Sequence, residues 1–336
     1  MTSRELVYKT LEFKNPERAP RQLWALPWAG LYHKEGLEKI VKDFPSDFIG
    51  VDGFLKEHPK TYGDAYEIGE YIDEWGCKFI NRQVGLIGQV KEPLIQDEDW
   101  EDSYKLRLPT ELLTINKDKI NEFCNKEDRF VFSSACPRPF EQLQFIRGTE
   151  QLYIDLILKP RGMFEVINKM HKFYCELLTL WAGTDIDALN FMDDWGSQKA
   201  LLINPKLWVE IFKPMYKDYI DIAHKHGKKI FMHSDGNILE IYPHLIEMGL
   251  DAVNSQLFCM ELDKLEQFKG RITFWGEIDR QRLLPFGSLE DIEIAVKNVK
   301  SKLWRNGGCI AQCEFGAGAK PENVYKTFET WNSLFK

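Results

Sequence analysis

The chain has 336 residues, 44% of them hydrophobic and 29% charged, enough to bury one large core beneath a well-solvated surface. With 44 Lys and Arg against 52 Asp and Glu, the formal charge is −8, and no basic patch stands out, which argues against a nucleic-acid binder. The seven cysteines form no CxxC pair, which argues against a disulfide framework, and no apolar run reaches the ~18 residues of a membrane span, so a cytoplasmic protein with no membrane contact is expected.

Thr2 and Glu5 form a capping-box pattern that opens a helix rather than a signal peptide, and this helix is expected to end before Asn15-Pro16. An aromatic stretch follows with Trp24, Trp28 and Tyr32. Residues 74–80 and 84–90 read as a β-hairpin. The first 125 residues are therefore expected to hold an early barrel strand, a cap and a hairpin, within a single domain spanning 1–336. From Arg129 onward, short apolar runs alternate with stretches of helix length. The expected strands are 130–135, 187–192, 229–232, 252–254, 272–275 and 309–312. The expected helices include 205–226, 238–248 and 289–304.

This alternation implies a parallel sheet. No Gly-rich phosphate loop follows the first strand, against a doubly wound sheet. Polar residues instead close five strands: Asp193 and Asp194, His233 and Asp235, Gln256, Glu277 and Asp279, Cys313 and Glu314. Such strand ends converge at the mouth of a barrel. The expected fold is α/β, a (β/α)8 TIM barrel with N-terminal cap elements.

In extended geometry His233 and Asp235 share a face, and Cys313 stands near the end of the last strand. A His, an Asp and a Cys can meet as three ligands of a catalytic zinc with one position open. Each also has a plain reading: Asp235 as a helix N-cap, Cys313 as a buried cysteine, His233 as a metal-free acid or base. The pair Asp193 and Asp194 can orient a ligand or a metal-bound His, or one of the two can simply cap the next turn. One of Glu277 and Asp279 is expected to point into the mouth. Gln256 suits hydrogen bonding, and Arg138 either holds an anion or makes an ion pair. Trp24, Trp28, Phe140, Phe191, Trp195, Phe258 and Trp275 supply core or cap packing, and a few of them a flat pocket for an aromatic ring.

Five motifs carry a resemblance. Asp194-Trp195-Gly196, His226-Gly227-Lys228-Lys229, His233-Ser234-Asp235-Gly236-Asn237, Gly249-Leu250-Asp251-Ala252-Val253-Asn254 and Trp275-Gly276-Glu277-Ile278-Asp279 resemble the uroporphyrinogen decarboxylase superfamily. Lys320-Pro321-Glu322-Asn323-Val324 extends the match. The decarboxylase branch grips carboxylates with an N-terminal Met-Arg-Gln-Ala-Gly-Arg motif. The corresponding stretch here, Ala25-Leu26-Pro27-Trp28-Ala29-Gly30-Leu31, has no arginine, which disfavours decarboxylation. The thiol-methylating branch holds zinc with a His-x-Cys motif and a distant cysteine. His233 and Cys313 match two of these ligands, and Asp235 replaces the nearer cysteine. Trp75-Gly76-Cys77 and residues 88–93 are similar to methyltransferases of anaerobic O-demethylase systems.

The resemblance thus implies a zinc held by His233, Asp235 and Cys313, with Glu277 as the alternative to Asp235. It implies Asp194, His233 and Glu277 as catalytic residues. Trp28, Phe140, Phe191, Trp195, Gln256 and Trp275 would surround a methoxylated aromatic methyl donor. The acceptor would be the Co(I) corrinoid (cobalamin) of a separate corrinoid protein. The rivals are a methylcorrinoid:thiol methyltransferase, a decarboxylase-like lyase and a non-catalytic binding subunit. Neither the direction of transfer nor the oligomeric state, a homodimer included, follows from the sequence.

Overall fold

The alternation expected after residue 129 is present in the computed structural model, which describes residues 1–335. The strands are β1 (Arg21–Ala25), β2 (Phe48–Gly50), β3 (Phe130–Phe132), β4 (Ala188–Met192), β5 (Lys229–Ser234), β6 (Ala252–Ser255), β7 (Thr273–Trp275) and β8 (Cys309–Phe315). Their spatial order is β1-β8-β7-β6-β5-β4-β3-β2, and every paired neighbour is parallel. This is a nearly closed (β/α)8 barrel.

Only β1 and β2 lack a ladder between them. Asp47 bridges the base of that seam. Its N–H donates to the Arg21 carbonyl at 2.9 Å, and its carboxylate accepts the Arg21 N–H and two Arg18 guanidinium hydrogen bonds, each at 2.7 Å. The opposing charge and hydrogen bonds hold the Asp47 carboxyl below its ordinary range although burial pushes the other way.

Aromatic side chains fill the barrel: Phe48, Phe130, Phe132, Phe231 and Trp275, with Ile310. The Ser3–Leu11 helix closes the floor by inserting Val7 and Leu11 beneath them. Its capping box is formed by Thr2 and Glu5. The outer layer owes its helices to apolar residues at 3.6-residue spacing. The Arg161–Ala182 helix buries Met163, Val166, Ile167, Met170, Phe173, Tyr174, Leu177, Leu178 and Trp181 along one face. No helix among the described residues is long and apolar enough to cross a membrane.

The N-terminal third departs from expectation. It holds two barrel strands, not one. The cap is a three-stranded antiparallel sheet in which Lys78–Asn81 pairs with both Gly69–Ile72 and Gln89–Val90. The expected hairpin is thus one edge of it. Gly69–Ile72 escapes notice because it is mostly exposed and carries no apolar alternation.

Candidate active site at the barrel mouth

Successive side chains on a strand face opposite ways, so one residue inside the barrel fixes all the others. On β5, Phe231 is inside, hence His233 and Asp235 point to the mouth. On β4, Ala188 is inside, hence Asp194 follows it. On β6 the inside residues are Ala252 and Asn254, and on β8 Ile310, Gln312 and Glu314.

His233 is the centre of the mouth. Its Nδ1 donates to Asn254 Oδ1 at 2.6 Å, and the Asn254 amide in turn donates to the Trp275 carbonyl. This leaves Nε2 facing Asp194 Oδ1 at 3.5 Å and Asp235 Oδ1 at 3.6 Å. The Trp24 ring edge packs on the imidazole with centroids 5.3 Å apart. Burial alone would lower the pKa of His233, but the two carboxylates and Asn254 push it up to about 9. Burial likewise opposes ionisation of Asp194, yet the His233 hydrogen bond and charge hold its carboxyl below the ordinary value.

The loops after β4 and β5 touch backbone to backbone. Gly196 N–H donates to the Asp235 carbonyl at 3.0 Å, and Gly236, at φ +78°, lies so close to the Gly196 carbonyl that a Cβ would collide with it. Two glycines therefore allow Asp194 and Asp235 to reach one imidazole.

Arg280 is the second hub. It binds Asp235 Oδ2, donates to Glu314 Oε2 at 2.7 Å and lies 3.8 Å from Glu277 Oε1. Both Glu277 oxygens are buried without a partner, and burial pushes its carboxyl up to about 8. Asp235 Oδ1 is also buried without a hydrogen-bond partner, His233 Nε2 standing 3.6 Å away.

Asp194, His233 and Asp235 each offer a ligand atom, all within 4.8 Å of one another. One imidazole nitrogen and two carboxylates, with the Asp235 Oδ1 unsatisfied, fit a divalent cation. Cys313 is not brought to this cluster. It shares its face of β8 with Ala311, its thiol lies against Thr327 of the Pro321–Ser333 helix, and burial raises its pKa. A one-residue offset in strand parity separates it from the mouth, and Asp194 stands in the cluster instead.

Three of the aromatic residues expected around a substrate are also on outward faces. Phe191 packs on Tyr216 and Tyr219, while Phe140 stacks on Trp195 at 4.1 Å between centroids. All three are fully buried in the outer core and are packing residues. Trp275 faces the lumen, and its indole donates to Gln22 at 2.5 Å. Trp28 is half-buried on the Pro27–Tyr32 helix beside Tyr32 and His33. Gln256, Phe258 and Glu277 line a cavity of about 220 Å³ with Arg280 and Arg282. Asp193 caps the Pro139–Arg147 helix by accepting the N–H groups of Phe140 and Glu141, and Asp279 closes a turn through the N–H groups of Gln281 and Arg282. Arg138 pairs loosely with Glu141 at 3.5 Å and lines a larger cavity of about 420 Å³ with Trp75, Leu112, Tyr174, Trp181 and Met192.

Sequence reasoning missed Arg280 and Asn254. Both lie in or beside quoted motifs, and strand parity marks Asn254. Arg280 stands in a loop, where no periodicity gives a direction.

The methyltransferase from Methanosarcina mazei superposes with a TM-score of 0.66 at 13% identity, covering 100% of both chains. Xylanase 10B from Thermotoga petrophila RKU-1 gives a TM-score of 0.45 at 10% identity, covering 100% of this chain and 98% of that one. No curated protein matches the sequence. The family model described as uroporphyrinogen decarboxylase (URO-D) matches residues 74–334, and the chain belongs to that family.

Proposed function

We propose that the chain is a methyltransferase that takes the methyl group of a methoxylated aromatic and passes it to the cobalt(I) corrinoid of a partner protein, assisted by a zinc-class ion at Asp194, His233 and Asp235. The observation that carries this reading is the donor set itself: one imidazole nitrogen and two carboxylate oxygens, with no thiolate among them. Oxygen donors make a harder centre, suited to an ether oxygen more than to a thiol. When bound, the ion would supply Lewis-acid polarisation of that oxygen. Membership of the URO-D family and likeness in fold to the Methanosarcina mazei methyltransferase add support.

The chain's own residues divide the work. Asn254 holds the His233 ring so that Nε2 faces the site. Arg280 occupies Asp235 Oδ2 and leaves Oδ1 free. The cavity of about 420 Å³ has room for an aromatic ring, and its wall includes Met192, the register partner of His233. As the methyl C–O bond breaks, its electron pair stays on the aryl oxygen. Glu277, whose carboxyl burial pushes up to about 8, lines the separate cavity of about 220 Å³ beside Arg280 and is a proton-holding group of the mouth.

The test is anaerobic incubation of zinc-loaded chain with a methoxybenzene and chemically reduced cob(I)alamin. Phenol and methylcobalamin are expected in equal amounts. Carbon dioxide from a carboxylated donor, with no phenol, would instead favour the lyase. Asn254→Ala is expected to weaken metal affinity by roughly 10–100-fold, as loss of a partner orienting a ligand histidine does. Equilibrium dialysis against zinc reads this directly.

A further inference from the structure

A second cluster lies on the outer wall of the barrel. His171 and Cys175 are one helical turn apart on the Arg161–Ala182 helix, and Asp218 reaches them from the Pro205–Lys225 helix. His171 Nε2 stands 2.9 Å from Asp218 Oδ2 and 3.6 Å from Cys175 Sγ. One ligand atom from each residue lies within 4.8 Å of the other two. A tetrahedral ion with bonds of ~2.0–2.1 Å to nitrogen and oxygen and ~2.3 Å to sulfur sets its donors about 3.3–3.6 Å apart. His171 and Cys175 already stand at that spacing, His171 and Asp218 would part by about half an ångström to reach it, and Asp218 lies within 4.8 Å of the thiol.

The surroundings favour a cation. Among the described residues no lysine or arginine pairs with Asp218, whose one partner is His171. The ring of Tyr219 packs on the imidazole with centroids 5.5 Å apart and limits its rotation. Asp218 is 59% exposed and His171 20%, so an ion can enter from solvent and keep water on a fourth position. Imidazole, thiolate and carboxylate together select a borderline-soft ion over magnesium or calcium.

We propose that His171, Cys175 and Asp218 bind one zinc-class divalent cation that ties the two helices together. The inference is independent of the chemistry at the mouth.

Cobalt(II) titration of the metal-free full chain separates the two sites, because only the outer one has a sulfur donor. A thiolate-to-cobalt absorption band in the near ultraviolet is expected, saturating at one equivalent once the mouth site is removed by His233→Ala. It should persist in His233→Ala and vanish in Cys175→Ser. Zinc should displace the cobalt and, with the mouth site removed by His233→Ala, raise the thermal midpoint of that variant but not of His233→Ala combined with Cys175→Ser. Asp218→Asn, a change at an exposed position, should weaken cobalt binding at this band by ~10-fold or more, and it decides the matter if Cys175→Ser does not fold. Absence of the band in the unsubstituted chain, its survival in Cys175→Ser, or unchanged affinity in Asp218→Asn would overturn the proposal.

Discussion

His233→Ala is expected to lower methyl transfer by on the order of 10²–10³-fold and to remove the metal proposed at the mouth, while Cys313→Ser leaves both within about twofold. The contrast follows from geometry. His233 Nε2 faces both Asp194 and Asp235, and alanine there leaves two carboxylates without the nitrogen that completes the set. Asp235→Ala should follow His233→Ala in metal content and also strip Arg280 of one carboxylate partner. Cys313 contributes only its burial beside Thr327, and serine in its place costs packing rather than ligation. Metal content by elemental analysis, read beside initial rates, checks all three. If Cys313→Ser lost the metal and His233→Ala kept it, the assignment of the site would fall.

The largest effect on stability is expected far from the mouth. Arg147 and Asp155 form an ion pair at 2.6 Å with side chains only 1% and 3% exposed. Arg147 also donates to the carbonyls of Ile95 and Asp97, and the Trp100 indole donates to Asp155 at 2.9 Å. These bonds fasten the cap segment to the Pro139–Arg147 and Thr149–Leu158 helices. Arg147→Met leaves a buried carboxylate without its cation and is expected to destabilise the fold by about 3–5 kcal/mol. Arg147→Met combined with Asp155→Leu should recover most of the loss, since the uncompensated charge is gone. Urea unfolding midpoints of the single and double variants measure this. A single variant as stable as the parent would show that the pair does not hold the cap.

Much of the barrel was legible because buried parallel strands are continuous apolar runs separated by amphipathic helices, as from Phe130 to Gln312. Of the first two strands one was expected but not placed and the other was not expected, for different reasons. Arg21–Ala25 opens with two polar residues, and Phe48–Gly50 is too short to show a period. At the site, the motif around His233 was legible because polar residues at strand ends are conspicuous. Which neighbours share its face was not, because a single residue of offset decides it. Cys313 and Glu314 are adjacent in sequence, and only Glu314 meets Arg280. Phe191 and Asp194 differ in the same way: the first is aromatic and suggests a pocket, yet parity sends it outward. Arg280 depends on a loop conformation that composition does not encode.

The seam at β1 has a consequence for biosynthesis. Its first strand has no ladder to β2 and takes its register from β8, with Arg21 opposite Ala311 and Trp24 opposite Glu314. A chain emerging from the ribosome therefore holds β1 unmatched until β8 has been made. Trp24, which rests on His233, cannot take its place before then. The contact of Trp24 with His233 therefore forms only once the eighth strand is in place, after Asp194, His233 and Asp235 have already been made.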